Sequence, residues 1–168
     1  MFVLLGGIVL KKNNEGFSLI ELIIVIAIMA ILSTFAFYGL HYLSMADAKG
    51  CAQDINSSVS NVKSLTMSKT KDVYMLLYRY DDNYYVKLST NKSMTVDDKE
   101  CKKVGSSDSF HIVCDGTELK NGDSRLIEIT RRDGSFVTCP KRIQVNGGGE
   151  YSVWLIKNTG KHFVRTDG

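Results

Sequence analysis

The segment Gly16-Phe17-Ser18-Leu19-Ile20-Glu21, which runs on as LIIVIAIMAIL to Leu32, decides how this chain is read. A glycine closes a polar stretch, a phenylalanine opens an apolar one, and a single carboxylate sits five places after the glycine. From residue 17 to residue 40 the only charged residue is Glu21. Those 24 residues extend ~36 Å as a helix at ~1.5 Å per residue, enough to cross a bilayer. A carboxylate inside such a helix costs on the order of 2.5–3.5 kcal/mol on insertion scales, so membrane charges usually have partners. A plain anchor would carry Leu or Ala at that place.

Working back toward the start, Lys11 and Lys12 precede the apolar run, and no Lys or Arg follows until Lys49. That asymmetry predicts the N-terminus inside and the rest of the chain outside. Residues 1–10, MFVLLGGIVL, are apolar and come before the basic pair. A secretory signal has its charge first. The expected natural start is therefore Val9 or Leu10, leaving a short basic leader that ends in KKNNEG; the other reading is a genuine ten-residue apolar extension.

The string GFSLIELIIVIAIMAIL closely resembles the class III signal of type IV pilins and type II secretion pseudopilins, over about residues 11–45. The resemblance implies that a prepilin peptidase/methyltransferase cuts after Gly16 and N-methylates Phe17. It further implies that Glu21 meets the cationic N-terminus of a neighbouring subunit during assembly. Two groups that are each costly in hydrocarbon would neutralise one another, and their pairing would set the axial register. Two departures stand out. The residue before the glycine is Glu15 rather than the common Lys or Arg. The proline that many major pilins carry midway down the helix is replaced by Tyr38-Gly39, where Gly39 lowers helix propensity by about 1 kcal/mol relative to Ala and acts as a softer hinge.

Working forward, Cys51, Ile55, Val59, Val62 and Thr66 or Met67 recur at helical spacing, with Asp47, Lys49, Gln53, Asp54, Asn56 and Lys63 mostly elsewhere on the wheel. One helix from Phe17 to about Lys69 is expected, apolar all round in its first half and amphipathic in its second. Beyond Lys71 the period becomes that of strands. Residues 73–80 form an apolar run, Asp81-Asp82-Asn83 a turn, and Tyr84, Val86 and Leu88 alternate with polar residues. Residues 91–108 read as a polar loop. Residues 110–114 read as a short strand, residues 125–132 and 135–139 as a hairpin through Asp133-Gly134, and residues 151–157 and 161–165 as closing strands after a flexible Gly147-Gly148-Gly149.

The expected fold is α+β: a long N-terminal helix packed on an antiparallel sheet head of roughly seven strands. Its parts are a leader at residues 1–16, a transmembrane half-helix at 17–40, an amphipathic half at 41–69 and an extracytoplasmic head at 70–168. The strand order is similar to that of the FimT/GspH branch of minor pilins and pseudopilins.

Sequence chemistry argues against an enzyme and implies no cofactor. His41, His111 and His162 stand apart from any zinc-spaced partner, and no CxxC, GxSxG or Walker lysine occurs. All four cysteines follow the apolar segment, where disulfides are permitted. Cys101 and Cys114 bracket one loop and are the expected pair among three complete pairings, while Cys51 on the inner helix face is expected to be a buried thiol. The partners implied are the membrane, the prepilin peptidase and other pilin or pseudopilin subunits. The basic residues Lys141, Arg142, Lys157, Lys161 and Arg165 raise nucleic acid as a less favoured partner. Glu150 and Asp167 dilute that charge, the chain's net charge is only +3, and Trp154 and Phe163 read as core residues rather than a stacking platform.

Overall fold

The structure is a computed structural model that describes residues 17–68, 71–97 and 100–167. The expected leader, the start site and the Gly16 side of the expected cut lie outside the described residues, as do the side chains of residues 36, 37 and 40. The chain divides into two compact units, Met1–Tyr38 and Gly39–Gly168.

A single helix, α1, covers Leu19–Ser68. Ser18 caps it: the Glu21 N–H donates to Ser18 Oγ at 3.2 Å, satisfying one of the donors that a helix start leaves without partners. In the first unit the hydroxyls of Ser33 and Thr34 donate back to the carbonyls of Met29 and Ala30, at 2.7 and 3.0 Å. Neither polar group then needs water. Among the described residues no helix is long and apolar enough to cross a membrane.

In the second unit the expected inner face of α1 is the one that packs. Cys51, Ile55, Val59, Val62 and Thr66 are buried with Ala48 and Ala52, and it is Thr66 rather than Met67 that turns inward. Each fully buried Val or Ile contributes about 1.5–3 kcal/mol relative to exposure. Among the described residues ten strands follow the helix, all pairing antiparallel, and they form two five-stranded sheets rather than one. The first sheet has the order β3-β2-β1-β6-β7, from β1 (Tyr74–Tyr80), β2 (Asn83–Ser89), β3 (Cys101–Ser106), β6 (Ser124–Ile129) and β7 (Phe136–Thr138). The second has the order β10-β9-β8-β4-β5, from β4 (His111–Cys114), β5 (Thr117–Glu118), β8 (Arg142–Asn146), β9 (Glu150–Ile156) and β10 (Lys161–Thr166).

The sheets share one core with α1. They are tied at both margins: Ile112 N–H donates to the Tyr84 hydroxyl at 3.3 Å, and Phe136 N–H donates to the Lys157 carbonyl at 2.9 Å. Tyr84 stacks on Phe110 with centroids 5.6 Å apart, adding roughly 0.5–1.5 kcal/mol beyond area burial.

Four expectations change. The polar stretch 91–108 contains an edge strand, β3, in which only Val104 turns inward; an edge strand takes its order from main-chain bonds to β2, so its side chains carry little period. β5 and β8 are further strands, β5 only two residues long. The hairpin through Asp133-Gly134 spans a longer turn, closed by the Thr130 N–H donating to the Ser135 carbonyl at 2.8 Å, and the β6–β7 register shifts between Glu128 and Ile129. Finally, Gly147-Gly148-Gly149 is the turn joining β8 to β9, and it is seated on α1. Gly148 has φ +62, and a Cβ there would lie 2.7 Å from the His41 carbonyl oxygen and 2.8 Å from the Met45 nitrogen. Glycine is needed for that approach of backbone to backbone. The β1–β2 turn also holds non-glycine residues at positive φ, Asp81 at 46 and Asp82 at 56. Two-residue hairpin turns require such angles, and Asn-Gly meets them at least cost; an aspartate in this region costs about 1 kcal/mol.

Candidate functional site

The helix start assembles the features that the sequence singled out. Phe17 and Glu21 are both solvent-exposed, Phe17 at 79 %. Ser18-Leu19-Ile20-Glu21 has the S-x-x-E spacing of a capping box, a signal that sequence reading passed over in weighing Glu21 alone. Glu21 therefore sits in the first turn of α1, where the partial positive charge of the helix N-terminus favours a carboxylate by roughly 0.3–1 kcal/mol when exposed. That local support lowers the cost of keeping a charge in an apolar segment. Around it, Leu19, Ile20, Leu22, Ile23, Ile24, Val25 and the apolar residues through Phe35 are all exposed. Exposed apolar surface on this scale marks a membrane or a partner protein.

The four cysteines are free thiols. Cys51 and Cys114 are buried and Cys101 and Cys139 half-buried. Cys101 opens β3 in the first sheet and Cys114 ends β4 in the second, so the pair expected to bracket one loop stands on separate sheets without a bridge. Burial pushes the Cys114 thiol up to about 11. Burial, helped by the nearby Asp54, also raises the Cys51 thiol.

Of the basic C-terminal residues, Arg142 and Arg165 are both paired with Asp167. On the outward face of the second sheet, Arg142 donates to Glu150 at 3.0 Å, to Asp167 at 2.7 Å and to Ser152 at 2.8 Å. Asp167 is drawn below the ordinary carboxylate range, first by its short hydrogen bond from Ser152 and then by Arg142. Arg142 also lies over the Trp154 ring, 5.2 Å from its centroid. Trp154 and Phe163 face one another across β9 and β10 and stand on this outward face, while Val153 and Leu155 go into the core. They are not core residues, contrary to expectation: a strand's period of two sends alternate residues outward, and the neighbouring strand decides which set is inside.

Among the described residues no group of three or more His, Cys, Asp or Glu is placed to hold a metal ion. His111 approaches Glu118 at 3.5 Å, and His162 bonds Ser60 Oγ at 2.8 Å.

No curated protein and no solved structure matches the chain. Residues 11–37 match the family model of the prokaryotic N-terminal methylation motif. That stretch holds Gly16, Phe17 and Glu21 together, and it is the signal by which prepilin peptidase recognises pilin-like, membrane-anchored proteins at the inner membrane. The chain therefore carries a prepilin-type signal, the mark of type IV pilin-like and pseudopilin-like structural subunits rather than of enzymes.

Proposed function

We propose that this chain is a minor type IV pilin or pseudopilin subunit of the FimT/GspH kind, incorporated in or priming a filament used for secretion, motility, adhesion or DNA uptake. Prepilin peptidase cuts between Gly16 and Phe17 and methylates Phe17. Residues 17–40 span the inner membrane before assembly, residues 41–69 continue the helix into the head, and residues 70–168 stand outside. Glu21 meets the N-terminal amine of a neighbouring subunit. The observation that carries this reading is the methylation motif over residues 11–37, in phase with a capped helix whose first apolar turns are uncovered. The test is the mature N-terminus. N-methylated Phe17 should head a chain of 152 residues (168 minus 16), and Gly16→Ala should block cutting. An intact leader in assembled filaments would refute the reading.

A second reading, a filament-displayed module that captures DNA or adheres, has one observation in its favour. Trp154 and Phe163 lie outward beside Lys161 and Arg165, where aromatic rings and cations together suit nucleic acid. Against it, Arg142 and Arg165 are both engaged by Asp167. The salt dependence of binding separates the two readings, since every phosphate that a cation neutralises releases counterions and makes affinity fall more steeply with salt. Sub-micromolar binding at physiological salt that disappears in Lys161→Ala/Arg165→Ala would favour the second.

A further inference from the structure

The head carries opposite charge at its two ends. At one end the β1–β2 turn, the β3–β4 turn and the β5–β6 turn come together: Ser107 N–H donates to the Asp82 carbonyl at 2.9 Å, and Arg79 N–H to the Asp123 carbonyl at 3.2 Å. Asp81 N–H donates to Asn121 Oδ1 at 3.0 Å. Asp81, Asp82, Asp108, Glu118 and Asp123 stand here against Arg79 and Lys120, a balance of 5 against 2, or −3. The Ser106 and Ser109 side of this end lies along α1 at Ala46, Asp47 and Gly50.

The other end lies by the last turns of α1. Lys63 Nζ donates to the Gly160 carbonyl at 2.9 Å, and Arg131 pairs with Asp72 at 2.9 Å. Lys63, Lys71, Lys92, Arg131, Arg132, Lys157 and Lys161 stand here against Asp72, Glu128 and Asp133, a balance of 7 against 3, or +4. Arg132, Lys157 and Lys161 are exposed; Lys157 and Lys161 form no ion pair among the described residues, and Arg132 has only the carboxylate of its neighbour Asp133 nearby. The two ends sit at opposite ends of β1, whose seven residues span ~23 Å.

From this geometry we infer that the acidic end of one head docks on the basic end of a second copy of this chain, stacked in the same direction along α1. The inference rests on the filament reading above, in its form of a subunit incorporated next to its own copies rather than one that only primes, and names the surface by which heads meet. Three features support it. Both complementary surfaces belong to one chain and lie at opposite ends of β1, so the contact is head-to-tail, and a contact of that kind propagates instead of closing. The acidic end presents an open cleft of about 490 Å³ lined by Tyr80, Asp81, Asn121 and Gly122, with an exposed ring beside a carboxylate that has no ion pair among the described residues. Such a cleft suits an Arg or Lys side chain. In the turn that offers it Asp82 pairs with Arg79 at 2.7 Å, which leaves Asp81 as the turn's carboxylate without an ion pair among the described residues. Opposed potentials of this kind also set register and reject wrong neighbours.

The experiment uses the full chain in filaments from cells that make it. A zero-length carbodiimide joins carboxylates to amines already in contact, and the joined peptides are read by mass spectrometry. Links from Asp81 or Asp82 to Lys157 or Lys161 are expected, and the span between the two ends makes any such link one between copies. Asp81→Asn/Asp82→Asn keeps residues that tolerate the turn, and should reduce both these links and the chain's recovery in filaments at least ~10-fold, while Phe17 remains the mature N-terminus. Links running from either end to a different protein would overturn the second-copy assignment. Wild-type recovery of the Asn variant would overturn the docking itself. Filaments whose subunits keep the leader would instead sink the pilin reading on which it rests.

Discussion

Replacing Gly148 by alanine tests whether the three-glycine turn is a seat for α1. The new Cβ meets two costs. The first is backbone conformation: φ +62 is disfavoured for an L-residue by about 1–2 kcal/mol. The second is space, since the Cβ would stand 2.7 Å from the His41 carbonyl oxygen, 2.8 Å from the Met45 nitrogen and 3.2 Å from the Met45 Cα. These are backbone atoms of a helix and cannot rotate away, so relief requires the β8–β9 turn to lift, an overpacking cost of ~1–3 kcal/mol. The two together predict a loss of about 2–5 kcal/mol. Gly116→Ala is the control, because Gly116 has φ +83 with nothing within 4 Å of its Cβ position; it incurs the first cost alone. The assay is urea unfolding of the full chain in detergent micelles, followed by fluorescence of Trp154, the chain's single tryptophan. Hydrogen exchange over residues 41–45 is read alongside and should rise in Gly148→Ala only. If the two substitutions destabilise equally, the turn is not seated on the helix and the reasoning fails.

Other outcomes follow from the same structure. Glu21→Gln keeps the capping-box spacing but removes the charge, whereas Glu21→Val removes both; each should insert in membranes, and neither should enter filaments. Normal incorporation of the Gln variant, read by immunoblot of sheared filaments, would show that the carboxylate only caps the helix. Cys114, with its thiol raised to about 11, is about 0.1 % thiolate at pH 8. It should alkylate at least ~100-fold more slowly in the folded chain than in urea, and equal rates would mean that the second sheet opens freely. Asp167 is held below the ordinary carboxylate range by Ser152 and Arg142, so its stabilisation is present above about pH 4 and is lost as pH falls through its folded value. The urea midpoint should accordingly drop more between pH 6 and pH 3 for wild type than for Asp167→Asn, and parallel drops would exclude the clamp.

The helix and its chemistry were legible in the residue order because they are local. Gly16, Phe17 and Glu21 lie within six positions, the 3.6-residue period marked Cys51, Ile55, Val59 and Val62 as the buried face, and those residues are the ones that pack. The resemblance to the prepilin signal needed no tertiary information either, since a peptidase reads that signal along the chain. The S-x-x-E spacing at Ser18 is local as well, since a cap and the first turn it serves lie within one helical turn.

The head was decided by contacts between residues far apart in the chain. CKKVGS at residues 101–106 has no apolar alternation and becomes a strand because β2 offers it main-chain partners. Trp154 and Phe163 carry the same period of two as their neighbours, and the packing of Val153 and Leu155 against α1 and the first sheet is what turns the aromatic pair outward. Cys101 and Cys114 are thirteen positions apart in sequence, yet two sheets hold them on separate layers. The three glycines offered flexibility in isolation; the backbone of α1 beneath them takes it away. Charge shows the same division. The net +3 of the sequence is nearly neutral, and only the meeting of turns separates it into an acidic end and a basic end, because a sum of charges contains no positions and a fold supplies them.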